Sequence, residues 1–244
     1  GVCFGYGAKF PAKYQNAFFA CDWSYGKLYA VHLKPHGSTY RASFEEFASS
    51  RPFPITDLLV NPADGAMYVA YGGRRVQSGL YRITYVGDES TAPAKLVRKG
   101  ENERKTRRSL EAYLQEGAKV ASSSEIDFIW KSLGSNDRGI RHAARVALEK
   151  QPAKAWKDRL AAETNPVTST AAMIALARVD GEGAASEIIA KATSLDYTKT
   201  KSRQTRLDIL RSVTLSLTRG GQPKASDKAK LIKWLDGIYP AGTP

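Results

Sequence analysis

The 244-residue sequence predicts a multidomain protein of mixed β + α class, with a β domain followed by an α-helical domain. Between Phe10 and Gly87, short runs rich in aromatic and β-branched residues alternate with Gly-marked turns, which is typical of antiparallel strands. After residue 103, apolar residues recur at intervals of three and four, which is helical spacing. Short strands at regular spacing indicate either a sandwich or a propeller, and the residues alone leave that choice open.

The β domain is predicted to span residues 1–87. Its Asp64-Gly65 pair, placed between two apolar runs, is a strong hairpin signal. Residues 1–16 are predicted as a loop, and residues 45–53 as a loop that can include one helical turn. Residues 34–38, which contain Pro35 and Gly37, are predicted as a turn. Strands are expected at about 17–21, 27–33, 39–44, 57–61, 66–70 and 79–85.

The helical domain is predicted to span residues 103–244, after a polar linker over 88–102 that shows no hydrophobic period. Ser122 and Glu125 form a capping-box pattern, and Asp137 and Asn165 stand where N-caps are expected. The pattern that begins at Asp137 recurs 28 residues later at Asn165, which indicates stacked helical repeats. Helices are expected at about 103–116, 123–133, 137–150, 153–163, 167–178, 183–193, 202–219 and 226–237.

The net charge of +13 allows three interpretations: a nucleic-acid partner, an anionic surface, or a generally basic fold. Basic residues are spread over both domains without a dense arm, which favours the last, and no face interleaves aromatic and basic residues as nucleic-acid binding would require. No apolar run approaches the length of a membrane span. Cys3 and Cys21 are the only cysteines; they could pair in an exported protein, although two unpaired structural cysteines are the favoured interpretation.

Longer motifs connect both domains to one family. Residues 22–33 and 72–82, together with 8–17 and 64–68, resemble the last blades of the six-bladed propeller in the exported glucose/sorbosone dehydrogenase-like proteins. In a large bacterial branch of that family, known from planctomycetes, a HEAT-like helical domain follows the propeller. Residues 140–149 and 206–211 resemble that domain.

The resemblance implies a partial β-propeller of about two blades, followed by a HEAT-like α-helical repeat domain. It also implies that earlier blades precede Gly1 in a longer protein, located in the periplasm or otherwise exported, and that those remaining blades are partners of this part. The intact protein would bind or oxidise a sugar or polyol. The part given by this sequence is not expected to be catalytic alone, because the family's catalytic His comes from an early blade.

The resemblance also bears on cofactors. Quinone-linked members of the family hold pyrroloquinoline quinone and calcium over the propeller axis. Ser24 stands where those members have a Lys, and residues 54–56 stand where they have Arg residues before the Asp that corresponds to Asp57. No catalytic residue, metal ligand or cofactor is therefore assigned to this chain, and quinone binding is disfavoured even in the intact protein.

The candidate substrate-binding residues are Asp22, Trp23, Ser24, Tyr25, Asp57, Arg74 and Arg75. A carboxylate can accept hydrogen bonds from sugar hydroxyls, and an indole face can stack on a sugar ring. The alternative, favoured for the first two, is that Asp22 closes an Asx turn and Trp23 fills the gap between blades. Arg74 and Arg75 are equally well explained as an exposed loop.

Two further functions remain as alternatives to sugar binding. The helical stack could dock a protein partner, with the blades as scaffold, because stacked repeats present extended surfaces. Binding of nucleic acid through the basic surface ranks last.

Overall fold

The computed structural model describes residues 1–73, 75–95, 98–220 and 222–239. The chain divides into two compact units, Gly1–Glu101 and Asn102–Pro244. The first contains two antiparallel sheets, and the second is built from helices. The expected combination of β and α structure is therefore confirmed. Within the described residues, no helix is long and apolar enough to cross a membrane.

The first sheet of the β unit has four antiparallel strands in chain order. They are β1 (Val2–Phe4), β2 (Phe18–Asp22), β3 (Lys27–His36) and β4 (Thr39–Ser49). A short helix, α1 (Ala12–Gln15), lies between β1 and β2.

The second sheet has three antiparallel strands, again in chain order: β5 (Ile55–Val60), β6 (Met67–Gly73) and β7 (Val76–Ile83). The Asp64-Gly65 hairpin lies between β5 and β6, where Asp64 Oδ1 accepts a hydrogen bond from Ala66 N at 2.9 Å. Alternate residues of the strands, among them Phe19, Leu28 and Val69, fill one shared core.

Strand β4 corrects the sequence interpretation, because residues 45–49 continue the strand where a loop was predicted. The cause is a bulge opposite Leu28 and Tyr29 that directs Phe47 toward the core. The Phe47 ring lies 5.1 Å from that of Tyr14 and 5.0 Å from that of Phe19, between centroids. This burial explains why a segment containing two adjacent glutamates stays in the sheet.

The other corrections also concern segments at the edges of predicted strands. Residues 1–16 were predicted as loop but contain β1 and α1, because β1 is too short to show an alternating pattern. Strand β3 continues through residues 34–36, which were predicted as part of a turn. Pro35 is tolerated near the hairpin end, where it pairs with Tyr40. The turn itself is confined to Gly37 and Ser38, with Gly37 at a φ of 56°.

The segment after the last strand is tied to the β unit through Gln15. This side chain is 6% exposed, and its Nε2 donates to Phe10 O at 2.8 Å, Thr91 O at 3.2 Å and Ala92 O at 2.9 Å. Its Oε1 accepts from Ala94 N at 2.8 Å. A single buried amide thus satisfies the backbone of a segment that has no regular structure of its own.

The helical unit begins with α2 and ends with α9. The helices are α2 (Glu101–Glu111), α3 (Ser123–Ser132), α4 (Arg138–Glu149), α5 (Arg159–Ala162), α6 (Pro166–Val179), α7 (Ala185–Ser194), α8 (Arg203–Gly220) and α9 (Ala225–Asp236). Helix α6 packs on both α4 and α8, so these three form a row. Helix α3 packs on α4, and α7 packs on both α6 and α8.

Small residues bring the row of helices together. Ala144 and Ala147 of α4 and Ala172 and Ala175 of α6 are fully buried, and they occupy matching positions of the 28-residue repeat. Large side chains of the neighbouring helices, including Ile129, fill the same core. Helices α4 and α6, with α5 between them in the chain, therefore present buried alanines at equivalent positions.

Caps begin these helices as the sequence predicts. Ser122 and Glu125 make a reciprocal capping box at α3. Asp137 Oδ1 accepts from Ile140 N at 3.1 Å at the start of α4, and Asn165 Oδ1 accepts from Val167 N at 2.9 Å at the start of α6. Asn165 thus keeps the capping role of the repeat although the aspartate is lost.

The predicted helix over 153–163 is interrupted in the structure. A 3₁₀ turn covers Ala153–Ala155, and only Arg159–Ala162 is α-helical. Between them, Trp156 adopts a φ of −143° and is 1% exposed, with Nε1 donating to Gln151 O at 3.4 Å. Burial of this large ring takes precedence over continuation of the helix.

We expect Asp137→Ala to lower the free energy of unfolding of the helical unit by about 1 kcal/mol, because an N-terminal N–H of α4 loses its acceptor. Asp158→Ala is the matched control, since Asp158 precedes α5 without making a side-chain cap bond. Calorimetric melting of both variants measures the difference. Equal losses would show that the cap does not stabilise α4.

The acid sensitivity of the helical unit should depend on Glu125. Its hydrogen bond with Lys119, followed by those with Ser122, lowers the pKa of Glu125 to about 2. Because the folded pKa lies below the unfolded value of about 4.3, the stabilisation is complete above that pH and is lost as the pH falls toward 2. We expect Glu125→Gln to flatten the decline in melting temperature over this range. A slope unchanged by the substitution would contradict this assignment.

Candidate functional site

One cleft of the β unit lies where three loops meet at the same end of the two sheets. Its volume is about 360 Å³. The loops are the turn between β2 and β3, the connection from β4 to β5, and the end of β6. The lining residues are Trp23, Ser24, Tyr25, Gly26, Ser50, Arg51, Pro52, Phe53, Pro54 and Gly73.

The turn between β2 and β3 is fixed by its own hydrogen bonds. Asp22 Oδ1 accepts from Ser24 N at 3.1 Å and from Tyr25 N at 3.0 Å, which makes it an Asx turn. Gly26 follows at a φ of 62°, and a Cβ there would lie 2.7 Å from Ser50 O. Ser50 N donates to Gly26 O at 3.2 Å, so the turn and the β4–β5 connection are joined backbone to backbone.

Aromatic side chains form much of the cleft wall. Trp23 is half-buried, and its Nε1 donates to Gly72 O at 3.4 Å, which holds the indole against the end of β6. Tyr25 is 74% exposed at the rim. Phe53 is buried beneath the cleft, with its ring centroid 5.6 Å from that of Tyr81 and 6.0 Å from that of Tyr71. The cleft therefore offers an aromatic wall fixed by a hydrogen bond and one exposed aromatic rim residue.

Polar groups in the cleft are few and mostly uncharged. The hydroxyls of Ser24 and Ser50 can donate or accept, and Arg51 supplies one guanidinium. The peptide bond from Arg51 to Pro52 is cis. Aromatic faces combined with hydroxyls and a fork of N–H donors suit a neutral polyhydroxylated ligand.

The structure brings some of the predicted site residues together and separates others. Trp23, Ser24 and Tyr25 line the cleft, while Asp22 shapes the turn beneath them. Arg74 lies outside the described residues. Arg75 is exposed at the β6–β7 hairpin, has a φ of 67°, and is not among the described residues that line the cleft.

Asp57 lies away from the cleft, on β5. Its Oδ1 accepts from Leu58 N at 2.9 Å, and the neighbouring Thr56 O accepts from the ammonium group of Gly1 at 2.8 Å. Burial of the two thiols is the main cause that raises the pKa values of Cys3 and Cys21, and the Asp57 carboxylate contributes in the same direction. Asp57 therefore belongs to the region where β1 and β2 meet β5. The substrate-binding role of all seven candidates stays a prediction.

The sequence interpretation did not single out residues 50–53, which supply much of one wall. A usable signal was present, because Pro52 and Pro54 flank Phe53 in a segment that could not pair as a central strand. The residue before a proline is biased toward an extended conformation, so Phe53 before Pro54 is expected to be extended. What the sequence does not reveal is that this segment meets the turn after β2.

The cleft does not fit an anionic quinone with calcium. Among its described lining residues, Arg51 is the only cation and no carboxylate is present to ligate a metal. Over the whole described part of the chain, no group of three His, Cys, Asp or Glu side chains is placed to hold a metal ion. No reaction step through such a cofactor is therefore assigned to these residues.

Comparison with known proteins identifies no relative. The chain matches no protein-family model, no curated protein and no solved structure.

We expect Asp22→Ala to destabilise the β unit by about 1 kcal/mol, because two backbone N–H groups of the turn lose their acceptor. Tyr25→Ala is the control from the same turn, and it should leave the melting temperature nearly unchanged because this ring is largely exposed. Calorimetry on the full chain measures both. A greater loss in the tyrosine variant would show that the rim ring, and not the Asx turn, stabilises this loop.

Proposed function

We propose that the β unit is the terminal part of a β-propeller and that its cleft binds a sugar or polyol in an exported, sugar dehydrogenase-like protein. The observation that carries this proposal is the joining of the 22–26 turn to residues 50–54, which places Trp23 and Tyr25 beside hydroxyls and Arg51. The proposal assigns binding to this chain. It assigns no catalytic residue, and oxidation would depend on residues in earlier blades.

The strand connections support a propeller. Each sheet is an antiparallel meander in chain order. The chain leaves β4 at the outer edge of the first sheet and returns through residues 50–54 to β5, which contacts β1 and β2. Passage from the last strand of one sheet to a strand packed against the first strands of that sheet is the connection expected between successive blades.

The cleft chemistry supports a neutral polyol over a strongly charged ligand. A sugar ring presents apolar C–H groups on its faces and hydroxyls at its edge. Trp23 can contact the face, while Ser24, Ser50 and Arg51 can hydrogen-bond the edge. With one guanidinium and no carboxylate among the described lining residues, the cleft has few groups that would select a charged ligand.

A second candidate function, protein docking, is supported by the helical unit. The row of α4, α6 and α8, with α3 and α7 packed behind it, is the arrangement expected of a HEAT-like stack. Side chains of α4, α6 and α8 line one groove on a face of this row. We propose this face as the docking surface, alongside ligand binding by the β unit.

Sugar binding can be tested on the full chain by calorimetric titration with a panel of neutral sugars and polyols. We expect Trp23→Ala to weaken binding by about 1 kcal/mol or more, the scale of an aromatic contact. Phe44→Ala serves as the control, because Phe44 is a 72% exposed aromatic residue on β4 outside the cleft.

The melting temperature of the same samples separates ligand binding from core packing. If Trp23 acts as core, its truncation should cost about 3–5 kcal/mol of stability and leave affinity unchanged in the protein that remains folded. That result would remove Trp23 from the site. Absence of binding to every member of the panel would count against the cleft as a sugar site in this chain.

A further inference from the structure

We propose that the groove formed by α4, α6 and α8 binds an acidic peptide segment of a partner protein. This inference rests on the docking function proposed for the helical unit and specifies its site and its ligand. The groove has a volume of about 480 Å³, within the size range of specific ligand sites. Arg138, Arg141 and Arg145 form one wall, and Gln204 and Asp208 form the opposite wall.

The three arginines lie on one face of α4. Their spacing of three and four residues aligns them along the groove, and the helical rise places the first and last roughly 10 Å apart along the axis. Successive side chains on one side of an extended peptide are about 7 Å apart. Two carboxylates at alternate positions of a peptide therefore fit within the length of this row.

Two of these guanidinium groups are held in place by the protein. Arg141 Nη1 donates to Ser135 O at 2.6 Å, which leaves its other nitrogens available. Arg145 is paired with Glu149, whose second oxygen accepts from Arg178 Nε at 2.9 Å. Fixing the arginines before binding reduces the conformational entropy lost when a carboxylate docks.

Arg138 differs from the other two. Among the residues that the structure describes, no side-chain partner is found for it, and it is exposed at the first position of α4. A cation at a helix N-terminus is electrostatically unfavourable, because it lies against the positive end of the helix dipole. An anionic ligand would relieve this repulsion, which makes Arg138 the residue best suited to an external carboxylate.

The opposite wall distinguishes a peptide from other anions. Gln204 Nε2 donates to Asp208 Oδ1 at 2.9 Å, so the second carboxylate oxygen and the amide oxygen remain as acceptors. Peptide N–H groups can donate to these acceptors. A nucleic-acid backbone offers few such donors, so these acceptors favour a peptide.

The floor of the groove favours the same ligand. Val167 and Ile174 of α6 are half-buried and present apolar surface between the two walls. Among the described lining residues, His142 carries the only aromatic ring and no Phe, Tyr or Trp is present, so successive bases would find little surface on which to stack. A segment that carries acidic side chains together with an apolar residue matches both walls and the floor.

The test begins with selection from a random-peptide display library against the full chain. We expect enrichment of peptides with acidic residues at alternate positions and at least one apolar residue. The affinity of a labelled selected peptide is then measured by fluorescence polarisation at two ionic strengths, and it should fall as salt is added. Inorganic phosphate and a single-stranded RNA are titrated as competitors.

Arg138→Glu is the diagnostic variant, and we expect it to lower the affinity for the selected peptide roughly ten-fold. The same change places an acidic residue in the first turn of α4, so the melting temperature should stay the same or rise. Lys230→Glu, which makes the same charge change at an exposed position on α9, is the control and should leave affinity unchanged.

The outcomes distinguish binding in the groove from docking elsewhere on the helical unit. Weaker binding in Arg138→Glu, with stability kept, supports the groove. If the selected peptides bind this variant and the unchanged chain equally, the groove is not their binding site. Docking would then take place elsewhere on the helical unit. If no peptide is enriched, the docking function fails as well. Displacement by RNA at lower concentration than by an acidic peptide would overturn the peptide assignment.

Discussion

The hydrogen bond from Ser50 N to Gly26 O is the contact on which the arrangement of the β unit depends. It joins the turn after β2 to the segment that leads into the second sheet. Because Gly26 has no side chain, the two backbones can approach to a distance that a Cβ would prevent. The aromatic wall, the hydroxyls and the start of β5 all take their positions from this junction.

Much of the architecture follows from local pattern. The change from strand-like to helical period predicts the β and α parts, and Ser122, Asp137 and Asn165 locate helix starts because capping is local chemistry. The failures occur where tertiary burial overrides local preference. Phe47 extends a strand past two glutamates, and Trp156 interrupts a helix, because each ring fills a core that no short window of sequence displays.

In the candidate sites, too, local sequence pattern could locate some residues but not others. Trp23, Ser24 and Tyr25 could be found because they are consecutive, and the arginines of α4 fall on one helical face. The opposite walls come from segments distant in sequence, so nothing in the local pattern could link residues 50–54 to the turn, or Asp208 to α4. Asp57 was grouped with the turn on resemblance alone, and the structure places it elsewhere on β5.

The bonds of Gln15 have a mechanical consequence. The last strand of the β unit ends at Ile83, yet the chain beyond it is fastened to α1 through Thr91, Ala92 and Ala94. Tension applied to the chain beyond this point would be borne by the hydrogen bond from Asn16 Nδ2 to Lys95 O and by the bonds of the Gln15 amide, and then by α1. Strand β7 would be shielded from that load. The Gln15 amide therefore protects the sheets from force applied to the chain that leaves them.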